Sequence, residues 1–85
     1  MSYELALEAL ADPTRLRLLS LVAERGEVCG CELVAPLRVA QPTVSHHLKT
    51  LFEAGLLERE RRGRWIYYRI DQKAVADLRQ ALVTS

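Results

Sequence analysis

Helical stretches with clear start and stop signals, one alternating segment tipped by glycine, and a basic second half together predict a mostly helical α+β fold. The order helix, helix, short helix, turn, helix, hairpin, helix is that of a winged helix-turn-helix. It places a two-stranded β-hairpin wing near the end and outer helices on either side, in a single domain over residues 1–85.

The elements follow one by one. "SYELALEAL" reads as a short helix with Tyr3, Ala6, Leu7 and Leu10 on one face and Leu5 and Ala9 opposite, so two neighbours are expected, one of them a second subunit. In "ADPTRLRLLSLVAERGE", Asp12 is a good N-cap, Pro13 suits the first helical position and Gly26 ends the helix. Leu16, Leu18, Leu19, Leu21, Val22 and Ala23 wrap much of its circumference, which predicts a central, buried helix. "VCGCELVAPL" predicts a short helix over about Cys31 to Ala35, discouraged from continuing by Pro36. After the turn "RVAQ", "PTVSHHLKTLFEAG" opens a helix at Pro42 and closes it at Gly55. "LLERERRGRWIYYRI" changes period and is rich in strand formers, giving a hairpin with Gly63 at its tip. "DQKAVADLRQALV" returns to a helix with Val75, Leu78 and Leu82 in one stripe.

With 85 residues, 49% of them hydrophobic, the chain can fold but buries a limited core, which a second copy would extend. No apolar run approaches the roughly 20 residues that cross a bilayer, and the basic-then-apolar pattern of a signal is missing. The expectation is a cytoplasmic chain with no membrane partner and reduced thiols. Charge is divided unevenly. Residues 1–36 hold three basic and six acidic groups, whereas residues 37–70 hold seven basic and three acidic ones. One face is thus suited to a polyanion.

On the helix from Pro42, about 100° per residue sets Val44, Leu48, Leu51 and Phe52 toward the core. Pro42, Ser45, His46 and Lys49 face the other way with Thr43 and Thr50 beside them, and His47 falls on the border, where a packing role is expected. Short hydroxyls and an imidazole reach base edges or phosphates in a major groove, Lys49 suits a phosphate, and Gln41 just before the helix can meet a base edge or backbone oxygen. Arg59, Arg61, Arg62 and Arg64 crowd the hairpin, where repulsion gains nothing without an anion; Arg62 or Arg64 is expected in a minor groove or on phosphates. Trp65 and Tyr67 are expected to fasten the wing to the body. The combined pattern points to double-stranded DNA as partner, and a winged-helix protein-interaction module is the alternative. No hydrolytic triad or nucleotide loop is recognisable, so an enzyme is not expected.

The stretches "ALADPTRLRLLSLV", "VCGCEL" and "QPTVSHHLKTLFEAGLLERERRGRWIYYRI" resemble the ArsR/SmtB family of bacterial metal- and metalloid-responsive repressors over roughly residues 5–70. The resemblance implies a homodimer that leaves its operator when a ligand binds, with Leu5, Ala9, Val75, Leu78 and Leu82 forming much of the dimer interface. Two recognition helices would then meet major grooves about 34 Å apart. The CxC followed by an acidic residue and leucine resembles the thiolate box of arsenite, antimonite, cadmium and lead sensors. The chain also departs from the pattern. The third cysteine of the best-known arsenite sensors falls at Val34, and the last helix offers Asp71 and Asp77 but no histidine for a zinc site.

Cys29 and Cys31 are soft ligands suited to arsenite or antimonite, with cadmium, lead and mercury as further candidates. In a regular helix residues i and i+2 point about 200° apart, so chelation of one atom is expected to loosen the turn they occupy and to disturb the recognition helix. Gly30 between them eases that change. Their spacing leaves open a redox switch on the same thiols, and two small buried hydrophobes. A third ligand is open too: a hydroxyl, a small thiol, the other subunit's thiols, Glu27 or Glu32 for a divalent ion, or a cysteine of a longer chain.

Overall fold

A computed structural model describes residues 3–84. Helix α1 covers Tyr3–Leu10 and α2 Pro13–Arg25. Strand β1, Val28–Cys29, leads into a 3₁₀ turn at Gly30–Leu33 and the one-turn helix α3 at Val34–Leu37. Helix α4 is Gln41–Glu53, strands β2 and β3 are Leu57–Arg62 and Trp65–Ile70, and α5 is Gln72–Thr84. Among these residues no helix is long and apolar enough to cross a membrane.

Local chemistry explains most boundaries. The Asp12 carboxylate accepts hydrogen bonds from the backbone N–H groups of Thr14 and Arg15, and Pro13 opens α2 behind this cap. Its pKa is lowered, first by the Arg15 bond, which favours the charged form. Gly26 closes α2 at φ +86°, a conformation that costs a glycine little. At the hairpin tip Gly63 has φ +65° while Arg64 does not share the positive angle. That is the glycine-first pattern of a two-residue turn whose twist matches the strands it joins.

The core forms where α2, α4 and the sheet meet. Leu18 and Val22 of α2, Val44, Leu48 and Leu51 of α4, and Val28, Leu33 and Leu56 are almost wholly buried. The predicted face of α4 is therefore the buried one, and His47 joins it. Phe52 is only half-buried, and the Arg59 guanidinium lies over its ring at 3.9 Å.

Several expectations need correction. The predicted hairpin wing is present as β2 and β3, and β1 adds a third antiparallel strand in the order β1-β3-β2, with Val28 opposite Tyr68 and Cys29 opposite Tyr67. The predicted helix over Cys31–Ala35 is instead divided between the 3₁₀ turn and α3, and α3 runs through Pro36 to Leu37. Proline is tolerated there because the first turn of a helix has N–H groups without intrahelical partners. Arg38, at φ 56°, ends that helix by returning its N–H to Val34. Helix α2 is not buried all round: Leu18 and Val22 face inward while Leu16 and Ala23 are exposed. Trp65 is half-exposed, at 50%, because Ile66, Tyr68 and Ile70 are the residues of β3 that cover the core.

Candidate functional site

Two surfaces converge at the start of α4. The first is the solvent-facing side of α4, where Gln41, Pro42, Thr43, Ser45, His46 and Lys49 are all exposed. Gln41 is the first residue of the helix rather than the residue before it. Val44, His47, Leu48 and Leu51 pin the opposite face to the core, so the polar side is held in a fixed orientation. Beneath it, His47 is 8% exposed and its Nδ1 lies 3.4 Å from an Arg15 nitrogen. Burial lowers the pKa of His47 and so favours the neutral ring that can accept from Arg15.

The second surface is the wing, where four arginines do not act alike. Arg62 makes a two-pronged ion pair with Glu27, at 2.7 and 2.9 Å, and also meets Glu60 at 2.7 Å. Arg69 joins the same network through Glu27 at 3.5 Å and Glu60 at 3.7 Å, and pairs with Glu58 at 2.9 Å. Glu27 is held below its usual pKa, chiefly by the Arg62 hydrogen bond. The expected unrelieved repulsion is therefore absent at Arg62, whose charge the protein itself neutralises. Arg64 has no ion-pair partner among the described residues and stands at the turn.

The cysteines sit between these surfaces. Cys29 is buried in β1 and Cys31 is exposed in the 3₁₀ turn. Their sulfurs are 3.0 Å apart, with the Cys31 thiol donating to Cys29 Sγ. This overturns the picture of two thiols on opposite sides of a coil. Cys29 has extended angles, φ −83° and ψ 145°, and the backbone turns only after it, so both side chains converge. The Glu32 carboxylate secures the bend by accepting the Cys29 N–H at 2.8 Å. The Cys31 pKa is raised, first by its hydrogen bond to Cys29.

Around the sulfurs runs a cleft of about 420 Å³ lined by Gln41, Ser45, Leu48, Arg64, Trp65 and Tyr68, among others. It touches the polar face of α4 and the wing at once. The loop is also tight: a Cβ on Gly30 would lie 3.0 Å from Leu48 Cδ1 and 3.7 Å from Gln41 Nε2. Sequence reasoning missed this contact of Gly30 with α4, and it missed Trp65, Ile66 and Tyr68 as cleft residues. The short β1 that aligns them has no period to detect.

Of the residues expected at a dimer interface, Leu5 and Leu82 are exposed at 52% and 61%, and Val75 is half-buried. Ala9 and Leu78 are already covered within the protomer, at 2% and 6% exposure. They support the outer helices from beneath instead of presenting a face. No group of three or more histidine, cysteine or carboxylate side chains is placed to hold a metal ion among the described residues.

Residues 12–59 match the family model described as "Bacterial regulatory protein, arsR family". The chain belongs to the arsR family. An arsenic resistance transcriptional regulator of Pseudomonas putida is 47% identical over 78% of this chain and 52% of its own length. An arsenical resistance operon repressor of Bacillus subtilis is 38% identical over 89% of this chain and 72% of its own. The chain thus spans about half the length of the Pseudomonas arsR relative. A solved homodimeric winged helix-turn-helix DNA-binding domain from Mycobacterium bovis superposes with a TM-score of 0.78 at 36% identity, over 94% of this chain and 72% of that one. The structure of a possible transcriptional regulator for arsenical resistance gives 0.83 at 38% identity, over 93% and 81%.

Proposed function

We propose that this chain is a homodimeric repressor that binds double-stranded operator DNA and releases it when a trivalent arsenical or antimonial bonds to Cys29 and Cys31. Helix α4 of each protomer enters a major groove with Gln41, Pro42, Thr43, Ser45, His46 and Lys49, and Arg64 reaches the backbone or the minor groove. Arg62 holds the wing to the Glu27 end of β1.

The observation that carries this reading is the pair of sulfurs at 3.0 Å, packed through Gly30 against the first turns of α4. An atom bonded to both sulfurs needs room where the thiol hydrogen bond now lies. A Cβ at position 30 would meet Leu48 Cδ1 at 3.0 Å and Cys29 is paired to Tyr67 of the wing, so a displacement of this loop is shared by α4 and β3. Release requires only that the ligand favour the DNA-incompetent arrangement. About 2–3 kcal/mol of coupling weakens operator binding roughly 30- to 150-fold.

The test is an arsenite titration of the operator complex. Wild type should release DNA, and a Cys29→Ser, Cys31→Ser protein should stay bound. Equal release by both rejects the proposal. The same sulfur proximity supports a second reading, in which hydrogen peroxide takes two electrons and two protons from the thiols, yielding a disulfide and two waters. DNA release by peroxide without any metalloid, abolished by the same substitutions, would favour it.

A further inference from the structure

Beneath the polar side of α4, one arginine joins three helices. Arg15 of α2 donates through Nε to the Ala9 carbonyl at 2.7 Å. That oxygen belongs to the last turn of α1, where carbonyls have no intrahelical partner. The Arg15 Nη1 lies 3.4 Å from Nδ1 of His47 on α4 and 3.8 Å from Asp12 Oδ2 at the start of α2. The Arg15 side chain is 17% exposed, so water replaces these contacts poorly. Packing between α1 and α4 is thin here. Of the α1 side chains described, only Ala6 and Ala9 are fully buried. A cleft of about 520 Å³ opens beside Arg15, with Glu8 and Ala9 on one side and Thr50 and Glu53 on the other. The angle between α1 and α4 therefore depends on the arginine.

We infer that Arg15 is a positioning residue for DNA binding, which sets α4 against α1 by holding the Ala9 carbonyl and the His47 ring together. The inference rests on the dimeric, DNA-binding part of the proposed function and is independent of its thiols. Tyr3 and Leu7 of α1 are exposed, and a second copy seated on them inherits any tilt between α1 and α4. In a two-fold dimer the tilt enters twice and shifts the spacing of the two recognition helices. Lysine is no substitute, because an ammonium lacks the rigid fork that holds two acceptors in fixed directions. The guanidinium has only donors, so its contact with His47 is a hydrogen bond only while Nδ1 is unprotonated. A proton there sets two like charges against each other. Asp12 and Arg15 of α2 and His46 of α4 are the charged or titratable groups facing the ring, and α1 contributes the Ala9 carbonyl through Arg15. Burial holds the His47 pKa below its ordinary value of 6.5, so the joint is whole at neutral pH and opens as pH falls through the lowered value.

The test uses a duplex that the wild type itself selects from a random library, and a second duplex keeping one half of the selected inverted repeat. At pH 7.5, Arg15→Lys should bind the whole site at least about fivefold more weakly than wild type, yet bind the half-site within about twofold. It should still sediment as a dimer. Equal losses on both duplexes, or no loss on either, overturn the inference. His47→Asn is the second variant and decides alone if Arg15→Lys does not fold. Its amide oxygen stands near the place of Nδ1 and does not titrate. From pH 7.5 to 5.5, whole-site affinity of the wild type should fall about fivefold further than that of His47→Asn, since His46 titrates in both. Equal changes overturn the inference and leave DNA binding intact. A wild type that selects no duplex overturns the DNA-binding reading and the inference with it.

Discussion

Single residues set how tightly the Cys29–Cys31 loop is joined to α4, and Gly30 is the clearest case. Replacing glycine by alanine ordinarily stabilises by about 0.4–1 kcal/mol through the unfolded chain when the backbone can accept it. Here the new methyl would meet Leu48 Cδ1 at 3.0 Å, and Leu48 is 2% exposed. Overpacking of this kind costs about 1–3 kcal/mol, so the clash wins. Gly30→Ala should therefore lower the urea midpoint, and an unchanged or higher midpoint would show that Leu48 yields freely. His47 gives a pH signature at the same scale. Burial lowers its pKa most, Asp12 opposes that shift, and Arg15 and His46 add to it. The unfolded chain thus binds the proton more readily than the folded one. Stability from neutral His47 is complete above the unfolded value, near 6.5, and is lost as pH falls below it toward the lowered folded value. Urea unfolding at pH 7.5 and 5.5 should show a larger loss for wild type than for His47→Gln. Equal losses would remove His47 from the account.

Among the elements, the wing divides its arginines between holding and reaching. Arg62 is clamped by Glu27 and Glu60, while Arg64 stands at the turn without an ion-pair partner among the described residues. Each phosphate contact contributes about 0.9 to the slope of log affinity against log salt. On the proposed DNA-binding reading, Arg64→Ala removes one phosphate contact per protomer and should flatten the slope of a dimer by roughly two. Arg62→Ala should leave the slope within about half a unit but hasten amide exchange in the hairpin. The reverse result would mean that Arg62 leaves its carboxylates for DNA. Element type was legible in the sequence wherever a period or a cap was long enough to read. The Asp12–Pro13 start of α2, the apolar side of α4 and the Gly63 turn all follow from local rules. The 28–37 segment did not, because a two-residue strand has no period and its pairing with β3 is set by a distant part of the chain. That gap also hid the meeting of the two sulfurs, since their convergence depends on Cys29 being extended. The partners of Arg62 were hidden for the same reason: Glu27 lies 35 positions away.

At the scale of the whole molecule, the protomer exposes more surface than its size requires. Its accessible area is 5569 Å², against roughly 5,100 Å² for a compact monomer of this mass, and its extents are 40 × 25 × 20 Å. Helix α5 is anchored by Ala74 and Leu78 and otherwise packs sparsely on the rest. Tyr3, Leu5 and Leu7 of α1 and Leu82 and Val83 of α5 remain exposed. Stable associations bury about 1,200–2,000 Å² in total, an area two outer helices per protomer can supply. Within one protomer a charge at Leu82 disturbs little, because surface substitutions usually change stability by less than about 0.5 kcal/mol. Across an apolar interface related by two-fold symmetry the same charge appears twice and faces its own desolvation. Leu82→Glu should therefore leave the melting of the isolated fold nearly intact while shifting the protein from dimer to monomer in sedimentation at micromolar concentration. Operator affinity should fall with it, because one α4 alone reads only half a site. A Leu82→Glu protein that still sediments as a dimer would place the interface on another face, and with it the spacing of the two recognition helices.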